Sequence, residues 1–320
     1  MRAVQAGLVS LLAMFAVSNA MAADLAPPPP LGPVVSGAID NWYGFSILTG
    51  EGDNVNPGTD WNFITGLVGK LSIPLGSNLT IQQDVGFQYG TNAESSNQKD
   101  FRDTFLYSGQ MGTHLSMRNV DQGLIGAFGG IGAANGNDTK ANYAFAGGEG
   151  MLWTGPWTLY GQGGWFSSEE TNNAPWDSAL HDAFFVRGVA RYFLTPDSRL
   201  QGEFSYANGK YGYYDDTANI FEWHARYDFV WNDVPVVGSL VGAIPLYLEY
   251  RGNYADGAHG DALWDNAFMV GTSYHFGGNN KQEFDKVGAT LDLPDIGRWV
   301  AAGSILDINS APVYVTAPVQ

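Results

Sequence analysis

Cysteine is absent from all 320 residues, which removes disulfides, thiolate metal sites, thiol nucleophiles and a lipidated cysteine at once. Charge is scarce: Asp, Glu, Lys and Arg make up 15% of the chain, against about 25% in a soluble globular domain. Basic residues are scarcer still, 15 against 32 acidic ones, for a formal net charge of -17. That balance excludes a general nucleic-acid binder, whose phosphate neutralisation needs clustered Lys and Arg. Beyond the N-terminus no window holds the roughly 20 apolar residues of a transmembrane helix. The five histidines are scattered, with no spacing that builds a metal cage. No cofactor is expected either, because the glycine-rich run GAFGGIG at 126–132 lacks the Lys-Ser/Thr ending and following helix of a phosphate loop.

Glycine and aromatics stand where charge does not. There are 42 glycines, and Phe, Trp and Tyr make up 14%, a composition suited to twisted strands, tight turns and aromatic girdles rather than helices. At the N-terminus Met1-Arg2 precedes a short apolar run over 8–17, and Ala20-Met21-Ala22 gives the small-x-small pattern of a signal-peptidase site. Residues 1–22 are therefore expected to be a signal peptide cleaved after Ala22. Residues 23–40 hold Pro27-Pro28-Pro29-Pro30 and Pro33; such a stretch favours polyproline II, cannot join a sheet interior, and reads as a periplasmic lead-in.

The clearest strand pattern is the hairpin over 184–208. Phe184, Val186, Gly188, Ala190, Tyr192 and Leu194 share one parity, and Arg187 and Arg191 the other, which is the period-two alternation of a strand. Pro196-Asp197-Ser198 breaks the run, after which Leu200, Gly202, Phe204 and Tyr206 alternate with Gln201, Glu203 and Ser205. A three-residue loop there predicts Thr195 paired with Arg199, and Arg191 opposite Glu203 on the polar face. Strand-like segments also cover 42–49, 61–73, 79–89, 101–117, 124–134, 141–153, 157–166, 220–231, 240–251 and 264–276. About twelve strands are expected, within a range of about 10–14. The apolar face of such strands fits the core of a soluble sandwich or the lipid side of a barrel.

Loop lengths separate these two readings. Residues 74–78, 118–122, 154–156 and 196–198 form tight turns, whereas 50–60, 90–100, 167–181, 208–219 and 252–263 are longer, polar and acidic. Short periplasmic turns alternating with longer external loops mark bacterial outer-membrane barrels. The last segment, Val270-Gly271-Thr272-Ser273-Tyr274-His275-Phe276, ends on an aromatic residue. On these residues, over 42–276, the chain resembles Gram-negative outer-membrane β-barrels of the porin-like type. The resemblance implies an all-β, transmembrane, antiparallel up-and-down barrel over 41–277, placed in the outer membrane. Its partners would be outer-membrane lipid and lipopolysaccharide, and the assembly machinery that reads the final aromatic. Residues 278–320 continue where such barrels commonly stop. They read as a periplasmic extension, or 299–308 and 313–319 add a hairpin and make fourteen strands.

The polar parity collects Lys70, Asp84, Glu149, Arg187, Arg191, Glu203, Glu222, His224, Arg226, Asp228, Glu249 and Arg251. These are expected to line the lumen, either as a charged constriction that selects solutes or as ion pairs filling a narrow interior. The first arrangement makes a passive channel for small hydrophilic solutes, the second a plugged barrel with a structural or surface-adhesive role. An envelope lipid hydrolase is a third reading, because His114-Leu115-Ser116 puts a histidine and a hydroxyl on one strand face. The pair sits beside a short turn and has no carboxylate at a telling spacing to orient the histidine, so the chain reads as a non-enzyme. The loop acids Glu169, Glu170, Asp215, Asp216, Asp256 and Asp261 lack a cation-ligand loop pattern and read as solvated charge.

Overall fold

The computed structural model describes residues 34–51, 58–93, 107–136, 139–171, 179–212, 215–231, 243–260 and 262–306. Period-two alternation is realised there as twelve strands: β1 (Ser36–Glu51), β2 (Gly58–Pro74), β3 (Leu79–Ala93), β4 (Tyr107–Asn119), β5 (Gly123–Gly136), β6 (Thr139–Thr154), β7 (Trp157–Glu170), β8 (His181–Thr195), β9 (Ser198–Tyr211), β10 (Asp216–Trp231), β11 (Ile244–Asp256) and β12 (Ala262–Phe276). Every strand is antiparallel to its sequence neighbours, and β1 pairs with β12, so the sheet closes and leaves no edge.

Parity sorts the side chains inside out. Leu67, Val85 and Phe204 point outward and are 51%, 56% and 52% exposed, while Gln82, Asp84, His114 and Arg191 point inward and are buried. A closed apolar wall of this extent exceeds any patch a water-soluble monomer carries, and matches the lipid face of a membrane barrel. A soluble sandwich would bury the opposite parity.

The expectations for 1–33, 101–106, 232–242 and 307–320 fall outside the described residues, and several others need correction. The barrel opens at Ser36 rather than residue 41, with Ser36 paired to Ser72 and Ala38 to Lys70 and His275; past the last proline the chain regains the N–H groups that a ladder requires. On the side of the long connections, Gly136 pairs with Thr139 and, within the segment 208–219 read as a long loop, Tyr211 pairs with Asp216, so two connections there are as short as the turns at the other end. In the β8–β9 hairpin Thr195 pairs with Ser198, and an irregularity between Phe193 and Thr195 moves Arg191 opposite Gln201 and Val189 opposite Glu203. The cause is local. Thr195 Oγ1 accepts the N–H groups of Asp197 and Ser198 at 3.3 and 3.0 Å, tightening the loop to Pro196-Asp197. The register moves by two residues, so each side chain keeps its face.

The largest departure follows β12. Residues 281–306 neither extend away from the barrel nor add strands; they turn back into it. Gly277, at φ +90°, makes the reversal, and a Cβ there would stand 2.5 Å from that of Ser36. Helix α1 (Lys281–Val287) then starts under an Asn280 cap whose side chain accepts the Glu283 N–H at 2.8 Å. An extended stretch leads to helix α2 (Ile296–Leu306). The first helix sits at the tight-turn end, where Gln282 N–H donates to Pro196 O at 2.9 Å. The second lies among Leu48, Leu180, Ala207, Ala255 and Leu263 near the opposite end. Trp299 is therefore helical and buried, which removes the fourteen-strand alternative.

Candidate functional site

The twelve residues read from the polar parity all lie on the inner face, and they are paired. Arg187 grips Glu203 with Nε and Nη2 at 2.6 and 2.7 Å. Arg226 Nη2 donates to Asp228 at 2.8 Å while its guanidinium lies 3.6 Å over the Tyr247 ring, and Arg251 Nε donates to Glu249 at 2.5 Å. His224 contacts Glu222 and stands 3.8 and 3.7 Å from Glu203 and Glu249. Glu149 and Asp84 flank His114 at 2.9 and 3.5 Å. The expectation that no carboxylate orients this histidine is thus corrected: strands distant in sequence supply two. Neither ring nitrogen bonds Ser116, whose Oγ has no partner among the described residues, so the geometry does not assemble the activated hydroxyl a hydrolase needs.

The C-terminal segment docks onto this charged wall through complementary groups. Lys281 Nζ donates to Asp228 at 2.7 Å. Asp285 accepts from Arg191 Nη1 at 2.8 Å and from Thr158 at 2.6 Å. Asp292 joins Lys70 and, at 2.5 Å, Arg191 Nη2. Further along, Arg298 reaches Asp265 at 2.6 Å, and Trp299 Nε1–H donates to Glu222 at 2.6 Å. The extended stretch between the helices needs donors for its carbonyls, and the wall provides them. Arg118 binds Gly288 O at 2.8 Å, Gln82 binds Leu291 O at 2.8 Å, Gln162 binds Asp292 O at 2.9 Å and Gln110 binds Pro294 O at 3.0 Å. Removing one member of a buried ion pair costs about 3–5 kcal/mol, and a neutral hydrogen bond is worth about 1 kcal/mol. The segment is therefore firmly seated without a covalent link.

Apolar packing completes the seat. Ile296, Trp299, Val300 and Leu306 are each no more than 1% exposed, against Phe166, Phe185 and Leu180 of the wall region. Close approach depends on two glycines. A Cβ on Gly297 would stand 2.5 Å from Ser108 Cβ, and one on Gly303 would strike the Leu180 backbone.

Comparison with solved structures places this architecture. An outer membrane channel from Pseudomonas putida F1 superposes with TM-score 0.54 at 13% identity, covering 78% of this chain and all of its own. More distant barrels include the translocator domain of the autotransporter NalP from Neisseria meningitidis, TM-score 0.39 at 13% identity over 85% of this chain and 95% of that one. A Pseudomonas aeruginosa FadL homologue gives TM-score 0.39 at 9% identity over 75% and 90%. No family model matches, and no curated protein matches. This chain has the fold of an outer-membrane channel barrel.

Within that fold the seated segment contacts β3, β4, β7 and β8, and also Lys70 of β2, Glu222 and Asp228 of β10 and Asp265 of β12, and leaves two cavities beside it. One, about 180 Å³, is bounded by Asp40, Lys70, Glu203, Arg226, Glu249 and Arg251. The other, about 40 Å³, lies between α2 and Ser46, Leu48, Asn253 and Asp265. Parity reading missed Asp40, Arg118, Arg199 and Asp265, although Arg118 shares the parity of His114 in β4 and Arg199 that of Glu203 in β9. It also missed Lys281, Asp285, Asp292, Asp295 and Arg298, since nothing in a tail sequence states that it re-enters a barrel. Seven wall bases and two from the tail, Lys281 and Arg298, put nine of the 15 Lys and Arg in the interior.

Proposed function

We propose that this protein is an outer-membrane channel for small hydrophilic solutes, narrowed by its own seated C-terminal segment. The observation that carries this reading is the cavity of about 180 Å³, walled largely by charged and polar side chains, left between the segment and the inner face of β8–β12 and β1–β4. A barrel filled only for rigidity gains nothing from a solvent-compatible void walled by buried charge, because such charge is expensive to desolvate. The leader pattern expected over 1–22, the apolar outer face and the terminal Phe276, which is outward and 56% exposed, support residence in an outer membrane among lipid and lipopolysaccharide, after insertion by the assembly machinery.

The competing reading, a closed barrel with a structural or surface role, draws on the core-like burial of Trp299 and Leu306. Planar-bilayer recording of the mature full chain separates the two. Stepwise, salt-dependent currents, small compared with those of an unobstructed barrel of this strand number, are expected from the channel. Silence over many insertions of correctly folded protein would discard it.

A further inference from the structure

The two cavities are in line. The larger reaches from Ala38, His275 and Lys281 near the tight-turn end toward the middle, and the smaller continues from the middle to Leu48 and Leu263 near the other end. Their linings share Gln88, Ser108 and Arg251. From this juxtaposition we propose that solutes pass beside the seated segment rather than through its displacement, and that Arg251 is the residue that sets the size and charge preference of this side path. The inference rests on the channel reading above and adds a route and a filter to it.

The geometry at Arg251 is that of a bar across a passage. Its Nε is fixed by Glu249 at 2.5 Å, so the stem is oriented by the wall. Its Nη1 stands 3.3 Å from Gln88 Oε1 on β3 and 3.6 Å from Asp295 of the segment. One guanidinium thereby bridges β11, β3 and the segment where the cavities meet. The contacts at Gln88 and Asp295 are long compared with the 2.6–2.8 Å pairs that hold the segment, so the bar swings more readily than the segment leaves. Its charge also decides the local balance. Without Arg251 the neighbouring carboxylates Glu249 and Asp295 lose their nearest cation, and the junction becomes acidic. A ring or bridge of one sign at a constriction selects ions of the other. The ligand class is small hydrated ions and polar solutes that fit a passage one side chain wide.

The test is single-channel recording of the full chain carrying Arg251→Gln or Arg251→Ala, beside wild type and Lys210→Ala, which alters a half-exposed charge at the far rim. Arg251→Gln removes the charge while keeping a polar side chain at the position, and Arg251→Ala removes both. Resistance to unfolding in cold detergent and trypsin protection of the segment report folding and seating. The expected result is a conductance rise of roughly twofold or more, since the narrowest section dominates resistance, with the reversal potential in a salt gradient moved toward cations and the segment still protected. Lys210→Ala should match wild type. If wild type conducts and both Arg251 variants match it, the side path is wrong while the channel stands. If currents appear only in chains whose segment has become trypsin-sensitive, solutes use the emptied lumen and the side path is again wrong. If no variant conducts, the channel reading fails and takes the side path with it.

Discussion

Trp299 holds the segment by two means that substitution can separate. Its ring packs on Phe166 and Phe185 at centroid distances of 6.1 and 5.6 Å, and its indole N–H donates to Glu222. Trp299→Ala removes both and should weaken seating by about 3–5 kcal/mol. Trp299→Phe keeps most of the packing but leaves a buried carboxylate oxygen without that donor, for about 1–3 kcal/mol. Trypsin reads the difference, because Lys286 and Arg298 lie on the segment: cleavage there should be slowest in wild type, faster in Trp299→Phe and fastest in Trp299→Ala. Equal protection of all three would contradict the seating. Arg191→Ala should likewise release the segment more than Arg187→Ala, since Arg191 serves Asp285 and Asp292 of the segment whereas Arg187 chiefly serves Glu203 of β9. At this scale the sequence is half legible. Parity alone carries Arg187, Arg191 and Glu203 to the inner face, because a strand has two faces. Their partners are not legible, because a two-residue register change at Thr195 and a segment about a hundred positions away decide them.

Among the elements, α2 shows why the tail resisted reading. Ile296, Trp299 and Val300 fall on one helical face, but so brief a helical pattern after a terminal strand does not say where it docks. The clue lay in the wall. Phe128, Phe145, Phe166 and Phe185 occupy inward positions, where a water-filled lumen has no use for aromatic rings, so these strands required an apolar occupant. At Gly303 a Cβ would stand 2.3 Å from Leu180 N. Gly303→Val should lift α2 from Leu180, raise tryptic cleavage at Arg298 and enlarge the current steps in bilayers. A variant with unchanged cleavage and unchanged steps would show that α2 does not need this approach. The strands themselves were legible nearly throughout, with twelve expected and twelve found, because lipid outside and charge inside impose a strict alternation on each of them.

The whole molecule is a lipid-facing barrel with a segment threaded along its interior and cavities between the two. The absence of cysteine makes this arrangement directly testable, since introduced thiols are the only ones present. A Cβ on Gly112 of β4 would stand 2.9 Å from Leu293 Cδ2, so Gly112→Cys with Leu293→Cys places two thiols at facing positions of wall and segment. Single-channel current through this double variant, recorded before and after reduction, tests the central claim most directly. The expected result is that both thiols disappear on oxidation and the same small steps are seen with the disulfide intact and reduced. Thiols that never join, or current that appears only after reduction, would contradict it.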